Sequence, residues 1–220
     1  MQLSQIKAEL ANPDPMERLQ AILALKNYEA EIAMPLLLSQ LQEKEYLVRS
    51  FVAMALGKQR TEQAFAALLE MMKFDVDPHV RAEAANSLSL FEQLSVSHLV
   101  ATFYQDDHWL VRCSIIAALA ELNCPQALLE VCTLGVNEEE LSVQEACVNA
   151  LCLLANTPKQ QEALTQILSK VNDPSWRVRV KVIDALGHFD RSQAQSALHY
   201  LSKDVDHRVA EAALKKLAEI

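Results

Sequence analysis

A Val-Arg pair, preceded by an acid and followed by apolar residues four and seven places on, recurs along this chain about every thirty-two residues. No other feature constrains the fold as tightly. Fixed on the arginine, the copies stand at Arg18, Arg49, Arg81, Arg112 and Arg179, with Gln144 and Ala210 in the same slot of two degenerate copies. Successive anchors lie 31, 32, 31, 32, 35 and 31 residues apart. A fixed period in that range marks a stack of helical hairpins, each burying its apolar face against its neighbours. Four places after the anchor stand Ile22, Ala53, Ala85, Ile116, Val148, Ile183 and Leu214, and seven places after stand Leu25, Leu56, Leu88, Leu119, Leu151, Leu186 and Leu217. All seven copies therefore share one register.

The expected class is all-α: a right-handed α-α superhelix of about seven hairpins, forming one elongated domain over residues 1–220. Composition agrees, with 51% apolar residues, 5% aromatics, three glycines and no sustained two-residue alternation. Twenty basic against 29 acidic residues leave a formal charge of −9. That balance opposes the phosphate attraction on which nucleic-acid binders depend, so no nucleic-acid partner is expected. The sequence has no apolar run of eighteen residues and no basic-then-apolar leader, so the expectation is a soluble cytoplasmic protein with neither membrane span nor secretory signal.

Five cysteines (Cys113, Cys124, Cys132, Cys147, Cys152) form an odd set without a Cys-x-x-Cys pair. Falling at small apolar positions of helical patterns, they read as buried free thiols. An iron–sulfur or zinc role is the alternative, and the spacings lack the short loops common to such sites. No metal site is expected.

Each unit reads as a first helix, a turn and a second helix carrying the anchor. In the second unit the first helix is expected near residues 31–42, the turn at Gln42–Lys44 and the second helix over Tyr46–Lys58. Asp77-Pro78, Asn123-Cys124-Pro125, Thr157-Pro158 and Asn172-Asp173-Pro174 combine a capping side chain with a proline suited to a first helical turn. The 35-residue spacing places extra residues around Thr157. The outermost copies are atypical, with Glu17 before Arg18, Ala210 as the last anchor and Lys215-Lys216 near the end, as terminal repeats facing water would be.

An anchor arginine falls within about 40° of the residues four and seven places later, inside the apolar stripe. A guanidinium there requires a partner. Asp14, Glu45, Asp77, Glu140 and Asp206 stand four places before an anchor, with Asp107 and Asp173 close by in two other units. The expectation is a structural ladder (Asp14, Arg18, Glu45, Arg49, Asp77, Arg81, Asp107, Arg112, Asp173, Arg179) in which each arginine bonds a turn acid of its own or the adjacent unit.

The strings Asp77-Pro78-His79-Val80-Arg81-Ala82-Glu83-Ala84-Ala85, Asp107-His108-Trp109-Leu110-Val111-Arg112 and Asp173-Pro174-Ser175-Trp176-Arg177-Val178-Arg179 resemble the HEAT-like repeats of the phycobilisome-lyase type. The resemblance covers nearly the whole chain, departing at Gln144 and Ala210. Such cyanobacterial proteins include bilin lyase subunits that attach or remove phycocyanobilin and relatives used in phycobilisome disassembly. The resemblance implies a phycobiliprotein partner, a monomer or heterodimer, peripheral placement at the thylakoid through that partner, and phycocyanobilin as the one candidate ligand. No resident cofactor is expected otherwise.

In HEAT-like stacks the second helices line the concave side, so offsets −2, +2, +5 and +9 from each anchor are expected to face a groove. Units one to three place Leu23, Phe51, Met54, His79, Asn86 and Leu90 there. The middle units add Leu110, Ala117, Asn149 and Leu153, and the last two add Arg177, Lys181, His188, Arg208 and Lys215. Exposed Phe and Met beside a basic end read as a seat for a helical antenna protein or for a tetrapyrrole with its propionates on the basic residues, the alternative being ordinary surface. Three places before the anchor stand Tyr46, Trp109, Trp176 and His207, expected to plug the turns against the preceding hairpin, with chromophore stacking as the alternative. His79 and His108 open adjacent second helices and read as polar caps before ligands.

The favoured function is an interaction scaffold. The chain has no Gly-x-Ser-x-Gly, Walker loop, dinucleotide fingerprint or zinc-protease motif, and no catalytic residue is assigned. It lacks the His-Glu dipeptide that repeated di-iron hydroxylases carry, and its charge disfavours a base-excising glycosylase. A bilin lyase or chromophore-detaching subunit is the remaining enzyme class. A generic intracellular adaptor or iron–sulfur assembly partner is the further alternative.

Overall fold

The computed structural model describes residues 1–189 and 192–219. Among the described residues there are fourteen α-helices and no strand. They pair as seven hairpins: α1 (Leu3–Glu9) with α2 (Pro15–Ala24), α3 (Ala30–Leu38) with α4 (Tyr46–Gln59), α5 (Glu62–Phe74) with α6 (Pro78–Leu88), and α7 (Gln93–Gln105) with α8 (Trp109–Glu121). The remaining pairs are α9 (Pro125–Gly135) with α10 (Leu141–Leu151), α11 (Gln160–Leu168) with α12 (Trp176–Leu186), and α13 (Ser192–Leu201) with α14 (His207–Glu219).

Contacts divide the chain into two compact units, residues 1–118 and 119–220. In the first, the second helices α2, α4 and α6 pack side by side, and the first helices α3, α5 and α7 form the layer behind them. In the second, α10, α12 and α14 repeat the arrangement with α9, α11 and α13 behind. Every anchor is preceded or followed by buried slots: Val48, Val80, Val111, Val143, Val178 and Val209 one place before, and Leu25, Leu56, Leu88, Leu119, Leu151 and Leu186 seven places after, are all at most 1% exposed. The slot four places after the anchor is buried wherever another hairpin covers it. Leu214 on α14, with no further described hairpin over it, is 59% exposed.

Local signals set the helix starts. Asp14 accepts the Met16 amide at 2.9 Å with Pro15 in the first turn, Asp77 accepts the His79 amide at 2.9 Å with Pro78 behind it, and Thr61 accepts the Ala64 amide at 3.1 Å. These side chains satisfy amides that a helix N-terminus leaves without partners. Helix α3 stops at Leu38, earlier than its apolar pattern suggests, and residues 39–45 form the turn. The longer repeat places its extra residues between α10 and α11, where Thr157 donates to the Leu154 carbonyl and accepts the Lys159 amide.

Helices α4 and α6 approach closely at Gly57. A Cβ at that position would stand 2.9 Å from the Ser87 Cβ, closer than packed carbons tolerate, so glycine is what admits α6.

Candidate functional site

The arginine ladder forms with a different acid from the one expected. Arg49 bonds Asp75 through Nε–Oδ2 at 2.7 Å and Nη2–Oδ1 at 2.8 Å, Arg81 bonds Asp106 at 2.6 and 3.3 Å, Arg179 bonds Asp204 at 2.8 and 3.0 Å, and Arg18 pairs with Glu43. Each acid lies in the turn of the following hairpin, six places before that hairpin's anchor. The remaining Nη1 of Arg49 donates to the carbonyls of Glu43 (2.8 Å) and Lys44 (3.0 Å) in its own turn, and Arg18, Arg81 and Arg179 repeat the pattern. One guanidinium thus closes its own hairpin and ties it to the next. Asp75, Asp106 and Asp204 also accept the amide two residues on, which fixes the turn that presents them.

The acids four places before the anchors do other work, and the reason is geometric. That position is the N-cap, so the side chains of Asp14 and Asp77 fold back onto amides of their own helices, as Asp206 does onto Arg208. Glu45 and Glu140 make no cap bond, and Asp107 is exposed. Asp173 holds the Ser175 amide and pairs with Lys170 at 3.8 Å. The preceding anchor, Gln144, brings no charge to Asp173; it keeps only the bond to its own turn, at the Glu138 carbonyl. Arg112 likewise clamps its own turn through the Asp106 carbonyl at 2.7 Å and lies over the Phe103 ring.

Burial alone would raise the Asp75 carboxyl, but the bond from Arg49, the Asp77 amide and the charges of Arg49 and Arg81 together hold it below the ordinary carboxylate range. Asp204 is held down in the same way by Arg179 and the Asp206 amide against its own desolvation. These are the marks of structural ion pairs.

With the arginines engaged between layers, the opposite face of the second helices in the first unit is left open. It forms a shallow cavity of about 360 Å³ whose wall includes Tyr46, Leu47, Phe51 and Met54 from α4, His79, Glu83 and Asn86 from α6, and Leu110 from α8. Phe51, Met54, His79, Asn86 and Leu110 come from the expected groove offsets, and the structure brings them to one surface. Leu23 and Leu90 are exposed but lie outside this cavity. The Tyr46 and His79 rings meet at 5.3 Å, and His79 Nδ1 lies 3.0 Å from Asp77. His108 accepts the Leu110 amide at 3.2 Å and stacks on Trp109, so both histidines are occupied locally.

The basic residues of the second unit differ from expectation. Arg177 pairs with Glu145 at 2.8 Å. Arg208 makes two bonds to Asp206 (2.7 and 3.0 Å) and lies 3.6 Å over the Trp176 ring. Both guanidinium groups are therefore neutralised within the unit, whereas Lys181, His188 and Lys215 stand outside the ion pairs found among the described residues. Asn149 and Leu153 are exposed. In the aromatic slot, Tyr46 meets His79 of the following layer, Trp176 lies under Arg208, and Trp109 stacks on its neighbour His108.

Repeat models describing HEAT repeats match residues 3–89 and 161–220. The chain belongs to the HEAT-repeat family. The segment between the matches contains the Gln144 copy, which keeps the hairpin geometry after losing the inter-layer charge. No curated protein sequence matches the chain. Among solved structures, the CpcE–CpcF complex of phycocyanin lyase from Nostoc sp. PCC7120 superimposes with TM-score 0.55 at 20% identity, covering 100% of this chain and 88% of that one. An engineered protein gives TM-score 0.55 at 18% identity over 99% and 68% of the two chains. YibA of Escherichia coli gives 0.50 at 15% over 100% and 93%. At such identities the likeness speaks for the fold alone.

Two groove residues of this HEAT-repeat protein are absent from the expected set, although Glu83 stands at the +2 offset from Arg81. Glu83 lies in the cavity wall, where burial raises its carboxyl above the ordinary range against a bond with Ser87. Ser50 also lines the cavity, and its buried Oγ has no hydrogen-bond partner. Glu83 follows from the same offset that gives Phe51, whereas Ser50, one place after Arg49, lies off the four groove offsets. No disulfide joins any of the five cysteines among the described residues, and Cys132 and Cys147 are buried. No cluster of metal-ligating side chains occurs among the described residues, and no helix is long and apolar enough to cross a membrane.

Proposed function

We propose that the protein is a binding scaffold whose groove on α4, α6 and α8 seats an apolar helical segment of a protein partner. The observation that carries this reading is the convergence of Tyr46, Phe51, Met54, His79 and Leu110 on one open cavity while every bonded ladder arginine points between layers. A volume of about 360 Å³ lies near the low end for ligand pockets, and an open trough of aromatic and thioether side chains suits a few anchoring residues of a partner helix better than an enclosed small molecule. The protein acts as a scaffold without a resident cofactor.

The partner class we favour is a phycobiliprotein, in the cytoplasm or at the thylakoid surface through that partner. Support comes from the resemblance of the Asp107–Arg112 and Asp173–Arg179 strings and from a fold neighbour that is a phycocyanin lyase complex. That neighbour, built from CpcE and CpcF, also supports a heterodimer and a second reading, a bilin lyase or chromophore-detaching subunit taking phycocyanobilin.

Mixing the chain with phycocyanin and separating by size tests both readings. Co-elution of visible absorbance, lost in the Phe51→Ser/Met54→Ser variant, is the expected result. Loss of bilin from the antenna protein would favour the lyase reading. Absence of association would remove the phycobiliprotein and leave a general adaptor.

A further inference from the structure

We propose that the groove selects a partner helix whose apolar face carries one lysine or arginine, and that Glu83 receives that cation. The inference rests on the docking reading above and deepens it. Glu83 is the one carboxylate in the cavity wall, which it shares with Tyr46, Phe51, Met54, His79 and Ala82. It bonds Ser87 on its own helix, one turn on, and forms no ion pair among the described residues. The ladder acids each hold an arginine, whereas Glu83 stands half-buried on an apolar surface without a cation.

A carboxylate in that setting is a cost to folding unless something else uses it, and its desolvated surroundings strengthen any charge-assisted bond that a ligand brings. The flanking chemistry suits the same ligand. Tyr46 and Phe51 line the same wall and supply aromatic rings beside which the stem or head of a cationic side chain can pack. His79 also lines the wall, and its ring nitrogen is turned to Asp77. An acidic segment would meet Glu83 as a like charge on a protein already carrying −9.

Three helical peptides of about five turns each test this. They share a Leu/Phe stripe at i, i+3, i+4 and i+7 and differ only at one central stripe position, which is Lys, norleucine or Glu. Fluorescence anisotropy gives the affinities, and amide shifts on α4 and α6 locate the site. The expected order is Lys above norleucine above Glu, with Lys about tenfold tighter than norleucine. Glu83→Gln, a near-isosteric change checked by circular dichroism, should abolish the Lys advantage and leave norleucine binding in place. Equal binding of the three peptides, or a Lys advantage that survives Glu83→Gln, would overturn the role of Glu83 while sparing the docking reading. If no peptide binds, or if Phe51→Ser/Met54→Ser leaves all affinities unchanged, both fall.

Discussion

Arg49 on α4 and Asp75 in the turn between α5 and α6 share two parallel hydrogen bonds, 2.7 and 2.8 Å long, with both side chains about nine-tenths buried. The same guanidinium holds the Glu43 and Lys44 carbonyls of its own turn, so one residue sets both the internal closure of a hairpin and its docking on the next. Replacing Arg49 by Ala leaves Asp75 buried without its cation and should cost about 3–5 kcal/mol in urea unfolding. Arg49→Lys should recover only part, because an ammonium cannot supply the fork.

Acid should weaken the stack through the same pairs. Asp75 and Asp204 are held below the usual 3.8 in the folded chain, so their contribution is complete above that value and is lost as pH falls through their lower folded values. Unfolding midpoints measured from pH 7 to pH 2 should fall along this limb. Asp75→Asn/Asp204→Asn should start less stable at neutral pH and fall less steeply.

Gly57 and Gly187 separate two kinds of tight contact. A methyl at Gly57 meets the Ser87 Cβ at 2.9 Å, and that carbon cannot move without shifting α6. Gly57→Ala should therefore destabilise by about 1–3 kcal/mol despite the better helix propensity of alanine. At Gly187 the obstacle is the far end of the Lys216 side chain, which can swing away. Gly187→Ala should be neutral or stabilising in the same denaturation assay.

Glu83 should show the opposite sign from the ladder acids. Its carboxyl is raised by burial, so ionisation opposes folding, and the penalty grows as pH rises above the ordinary value of 4.5. Glu83→Gln should raise the melting temperature at pH 7 and leave it unchanged at pH 3. A groove residue whose removal stabilises the fold is what a binding role would leave behind.

The repeat register was legible because it rests on slots that are apolar in every unit, and a seven-fold recurrence of Leu at one offset admits one helical phase. The groove offsets followed from that phase, which is why Phe51, Met54, His79, Asn86 and Leu110 meet. Glu45 and Asp77 stand two residues, and Asp107 one residue, beyond the acids that bond the ladder arginines. An N-cap acid such as Asp77 and a turn acid such as Asp75 look alike in sequence, and only the path of the turn decides which faces the preceding arginine. Arg177 and Arg208 were misread for a related reason. Their partners, Glu145 on the neighbouring α10 and the Asp206–Trp176 pair, are set by packing between layers, which offset counting does not register.

Arg49 and Phe51 stand two residues apart on α4, one between layers and one on the groove, and comparing their loss tests the division of labour most directly. Urea unfolding of Arg49→Ala should show a loss of about 3–5 kcal/mol. Phe51 is partly exposed in the wild type, and Phe51→Ser should lose less than Arg49→Ala, about 1–2 kcal/mol. Equal losses, or a greater loss at Phe51, would contradict the account by making the groove part of the core.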